Sequence, residues 1–123
     1  MKPFIKEFYI QGIDFLENIN EVSPCFHLRL EIEINYENTE GVDDYSIDIC
    51  DVDGLTKKIK NYFKSDFEID NGTISRYILK TLVCKEYNKT EIIKQITQFV
   101  NECSGENWEE VNLKLQEKLQ YNP

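Results

Sequence analysis

One histidine, one tryptophan, three prolines and five glycines are spread over 123 residues. With His27 as the only imidazole, paired-histidine metal sites and any acid/base arrangement needing a second imidazole are excluded. The five glycines form no phosphate-cradling loop. No run of about 18 apolar residues could cross a bilayer. The opening MKPFIKEFYIQGID lacks the basic-then-apolar layout of a secretory signal, so a cytoplasmic location is expected. Cys25, Cys50, Cys84 and Cys103 include no C-x-x-C pair and sit in apolar periodic segments, as buried free thiols do in a reducing compartment. Basic surplus is missing too: 23 acids against 14 bases leave a formal charge of −9, which argues against nucleic acid or an anionic membrane as direct partner. A basic protein partner remains compatible with that charge.

What is present is the material of one domain, residues 1–123, with 41% hydrophobic and 12% aromatic residues. Ile5 to Ile10 reads as a first strand. Residues 11–24 read as a connection in which one or two of Ile13, Phe15 and Leu16 tuck inward. From Phe26 to Tyr36 the chain alternates without a break: Phe26, Leu28, Leu30, Ile32, Ile34 and Tyr36 on one face, and His27, Arg29, Glu31, Glu33 and Asn35 on the other. Tyr45, Ile47 and Ile49 repeat the alternation after a polar loop over 37–44, predicting an antiparallel hairpin. Leu55, Ile59, Tyr62 and Phe63 stand at helical spacing within Gly54–Lys64. The turn at Asn71-Gly72 precedes a β-branched stretch, Thr73 to Glu86, that reads as one bent strand or two.

Two helices follow. Asn88 with Glu91 offers a capping box for a stripe of Ile92, Ile93, Ile96, Phe99, Val100 and Cys103, with Gly105 as a left-handed stop. Asn107 with Glu110 does the same for residues 107–120, whose Trp108, Val111, Leu115 and Leu119 share a face. The expected fold is α+β: an antiparallel sheet of about four to five strands with a short helix and two C-terminal helices packed on one face.

Candidate chemistry is thin. Cys25, His27 and Cys50 fall on one face, but a hairpin closing across 37–44 sets Cys50 opposite Leu30 or Glu31, roughly 10 to 15 Å along the strand from His27. That separation rules out a shared zinc ion. Asp51-Val52-Asp53-Gly54 departs from a calcium loop, having Ile49 and Lys60 where ligands would stand, and reads instead as a helix start capped by Asp53. No cofactor and no enzymatic activity are expected. The charge distribution is more informative: Glu37, Glu40, Asp43, Asp44, Asp48, Asp51 and Asp53 lie within 17 residues that hold no lysine or arginine. Glu31 and Glu33 extend this acidic surface on the neighbouring strand. Such a patch either keeps a hairpin soluble and unpaired at its edges or docks a basic protein.

The alternating Phe-x-Leu-x-Leu-x-Ile-x-Ile strand, Tyr-Ser-Ile-Asp-Ile-Cys, and the run Cys103-x-Gly105-x-x-Trp108-Glu109-Glu110-Val111 resemble immunity protein family eight of bacterial polymorphic toxin systems. The likeness spans about residues 4 to 120 and departs from the family at Asp51-Val52-Asp53-Gly54, where a threonine-proline step is expected, and at the closing Gln120-Tyr121-Asn122-Pro123. It implies a non-enzymatic protein that binds and occludes the C-terminal domain of a cognate toxin, with a basic nuclease as one form of that partner. Contact residues do not carry over from the family; the charge distribution makes Glu31, Glu33, Glu37, Glu40, Asp43, Asp44 and Asp48 the expected ones. The alternative is an adaptor or homo-oligomeric domain with a cellular partner, which a pull-down would distinguish.

Overall fold

The computed structural model describes residues 1–63, 77–78 and 80–123. Its elements are β1 (Pro3–Ile10), β2 (Asp14–Phe15), a 3-10 turn (Leu16–Asn18), β3 (His27–Tyr36), β4 (Asp43–Asp51), α1 (Val52–Phe63), β5 (Thr81–Cys84), α2 (Lys89–Asn101), α3 (Trp108–Leu115) and β6 (Gln120–Asn122). Their sheet runs β2-β1-β3-β4-β5, and β6 joins β4 beside β5. Every pairing is antiparallel except β4 with β5, which are parallel and connected through α1. The α+β class expected from the sequence is therefore found.

The alternation of β3 and β4 sorts their side chains as period 2 requires. Leu30, Ile32, Ile34, Tyr36, Tyr45, Ile47 and Ile49 are buried, and they meet Ile92, Ile96 and Val100 of α2 and Val111 and Leu115 of α3. We call this the inner face. Polar groups within it are satisfied. The Tyr45 hydroxyl donates to Asn112 Oδ1 at 2.7 Å, and both the Tyr36 hydroxyl (2.8 Å) and the Trp108 indole N–H (2.7 Å) donate to Asp43 Oδ2. Tyr121 packs its ring against Tyr45 and Trp108, with centroids 5.2 and 6.0 Å away. The single tryptophan thus ties the start of α3 to the start of β4.

Both caps of the C-terminal helices form: Asn88 accepts from the Glu91 N–H and Asn107 from the Glu110 N–H. Glu110 returns to the Glu106 N–H at 3.0 Å, one residue before the position a capping box predicts. Several expectations are corrected. Gly105 is not left-handed; an added Cβ would come within 2.9 Å of the Glu110 side chain, which would have to shift. Asp51, not Asp53, caps α1, accepting from the Gly54 N–H at 2.7 Å. The last helix stops at Leu115, and the chain then turns so that Leu119 is buried and β6 pairs with β4. Of the three apolar side chains in the connection after β1, Leu16 is the one that tucks inward, as the expectation of one or two allows; Ile13 and Phe15 are exposed. Cys50 and Cys103 are buried free thiols, but Cys25 is exposed and Cys84 half-buried. Of the predicted strand 73–86, Thr81–Cys84 is observed; residues 73–76 and 79, like the turn at Asn71-Gly72, lie outside the described residues.

Candidate functional site

The other face of the sheet is where the acids gather, and strand register decides which of them can act together. The hairpin pairs Ile34 with Asp43 and Glu33 with Asp44, so β4 begins earlier than a symmetric loop over 37–44 would have it. Cys50 lies opposite His27, not Leu30 or Glu31. The displacement of four residues, about 13 Å of strand, is an even number, so every side chain keeps its face while every pairing changes. His27 and Cys50 are therefore direct cross-strand neighbours, without the roughly 10 to 15 Å of strand expected between them from the sequence. The three are nevertheless engaged differently: Cys25 precedes the strand at φ +65° and its N–H donates to Asp51, Cys50 is fully buried, and His27 Nε2 faces Asp48 Oδ2 at 3.5 Å. Among the described residues no three histidine, cysteine or carboxylate side chains converge as metal ligands.

Register also builds rows of charge. A bulge in β1 between Ile5 and Glu7 restores Phe8 and Ile10 to the core and turns Glu7 and Tyr9 outward. Glu7 then stands beside Glu33, and Glu33 beside Asp44, three carboxylates in line across β1, β3 and β4. Cross-strand neighbours have Cβ atoms about 4.5–5.5 Å apart, and like charges there are destabilising. Among the described residues no lysine or arginine forms an ion pair with Glu7, Glu31, Glu33 or Asp44. In the next row Tyr9 faces Glu31, and a hydrogen bond to Glu33 pushes the Tyr9 phenol up to about 12 by stabilising its neutral form. Tyr9, Glu31, Glu33 and Asp44, with Gln11, Arg29 and Asn122, line an open cleft of about 360 Å³.

The acids named from the sequence separate into four groups. Glu31, Glu33 and Asp44 belong to this cleft. Glu37 and Glu40 are exposed at the hairpin turn, near a second cleft of about 330 Å³ that Glu40, Asp43, Tyr36 and Trp108 share. Asp43 points to the inner side and serves Tyr36 and Trp108. Asp48 is only 4% exposed and is held by Arg29 Nε at 3.3 Å and by His27, so it is a structural anion at the covered end of the outer face. There α1 approaches. Gly54 comes so near the Phe26 carbonyl that an added Cβ would lie 1.8 Å from its oxygen. Burial first, and then the charge of Lys58, hold the His27 imidazole below its ordinary value, with Asp48 opposing them.

Glu7, Tyr9, Gln11 and Asn122 were not predicted. The bulge hides the first two, because strict alternation from Ile5 puts Glu7 inward; β6, which brings Asn122, is too short to show a pattern.

A family model described as Immunity protein 8 matches residues 4–121. No curated protein and no solved structure matches the chain.

Proposed function

The chain belongs to the immunity protein 8 family, and from that premise we propose that it neutralises a cognate toxin by binding it directly on the acidic outer face of the sheet. The observation that carries this reading is the row Glu7, Glu33 and Asp44, three neighbouring carboxylates with no cation paired to them among the described residues. Such a row weakens the free protein, and an incoming lysine or arginine relieves the repulsion. Glu31 widens the row, and Glu37 and Glu40 extend the field to the hairpin turn. Asp43 and Asp48 support the surface from beneath, since their oxygens are already bonded inside the fold. A toxin that handles nucleic acid would present the matching charge, because it must hold phosphates. Inhibition needs only occlusion, with no reaction performed by this chain.

The test is co-expression with the toxin domain encoded by the adjacent gene, followed by purification of both. Protection of the host and a stoichiometric complex are expected. A toxin that kills equally well in the presence of this folded protein would refute the reading.

A further inference from the structure

The acidic cleft runs into an apolar shelf for which the core has no use. At the turn after β1, Gly12 adopts φ +76°, and Ile13 beyond it is 64% exposed. Phe15, 37% exposed, pairs with Tyr9 across β1 and β2, ring centroids 4.8 Å apart. The neighbouring Leu16 is fully buried and already anchors this segment to the core. A cleft of about 320 Å³ against Ile13 and Phe15 shares Tyr9, Gln11 and Glu31 with the acidic cleft, so the two form one continuous surface.

Resting on the immunity reading, the geometry points to a cationic and amphipathic segment of the toxin as the occupant: arginine or lysine over Glu31, Glu33 and Asp44, and beside it an apolar side chain seated on Ile13 and Phe15. Charge complementarity selects the basic half, because the carboxylate rows repel any anionic occupant. The shelf selects the apolar half, since removing exposed aromatic and aliphatic surface from water favours association. Each half has its own kinetic signature. Long-range charge accelerates encounter, whereas desolvated apolar contact slows release.

The experiment measures association and dissociation rates on the immobilised toxin domain from the adjacent gene, using wild type, Ile13→Asp, Phe15→Ser and the double variant Glu31→Lys/Glu33→Lys. Thermal melts check that each variant is folded; Ile13→Asp is the safest, as its side chain is the most exposed. The shelf variants are expected to dissociate about tenfold faster or more with little change in association, and the acid variant to associate more slowly, as expected when close contacts set release and charge sets encounter. Unchanged dissociation of both shelf variants from a toxin that wild type binds would overturn the shelf and leave the docking reading standing. If wild type does not bind the toxin, both fall. If sedimentation shows a wild-type dimer that Ile13→Asp dissolves, the shelf belongs to a second copy of this chain and the inference is overturned.

Discussion

Asp43 and Asp44 are neighbours in sequence and opposites in role. Asp43 turns to the inner side, where Tyr36 and Trp108 both donate to it; Asp44 turns outward, beside Glu33, with no cation paired to it among the described residues. The same carboxylate is thus a structural acceptor on one face of β4 and half of a repulsive pair on the other. Nothing in local composition separates them. Strand parity does: it sends Asp43 to the side where Tyr36 and Trp108 wait with donors, and Asp44 to the side where Glu33 stands beside it.

Mutations on the two sides should therefore diverge. The largest expected effect is on the inner side: Ile32→Ala, at a fully enclosed position, should lower unfolding stability by about 2–5 kcal/mol in denaturant titrations, through lost burial and a residual cavity. Next comes the neighbouring pair itself. Asp43→Ala leaves the Trp108 N–H and the Tyr36 hydroxyl without their acceptor and should cost about 1–3 kcal/mol, while Asp44→Ala should be neutral or slightly stabilising. Equal losses at the two positions would break the comparison. Smaller again, Glu33→Gln removes the central charge of the Glu7, Glu33, Asp44 row and should raise the melting midpoint at low salt, with a gain of roughly 0.2–1 kcal/mol that fades as salt is added.

The smallest effect concerns His27, where the outer face is covered. Burial lowers its folded-state value below the ordinary 6.5, so the unfolded chain binds the proton more readily. The stability it contributes is complete above about pH 6.5 and is lost as pH falls below that toward the folded value. His27→Gln should flatten the stability profile in that window and leave it unchanged above pH 7.5.

How much of this the sequence disclosed follows from the same geometry. The faces of β3 and β4 were legible because ten and nine residues of alternation leave little choice, and the caps at Asn88 and Asn107 were legible from local spacing. Register was not, because it depends on how an eight-residue polar segment is divided between strand and turn, and hydrophobic alternation is blind to an even shift. That is why Cys50 was misplaced against its partner while its face was right. The bulge in β1 breaks parity where the strand holds Glu7 and Tyr9, hiding these two residues of the candidate site. Asp48 looked available because alternation assigns a face and not its cover; the approach of α1 and the pairing with Arg29 and His27 are tertiary facts. Residues 116–119 read as helix because Leu115 and Leu119 keep helical spacing even though the chain turns between them, and the three residues of β6 show no pattern of their own.

The most direct test of the outward-facing account is the association rate with the cognate toxin, measured across a range of salt concentrations for wild type and for Glu33→Lys/Asp44→Lys. Wild type should associate fast at low salt and slow by about tenfold or more as salt rises, and the charge-reversed variant should be slow at low salt with a nearly flat dependence. A variant that keeps the wild-type rate and salt slope would contradict the claim that this face meets the partner.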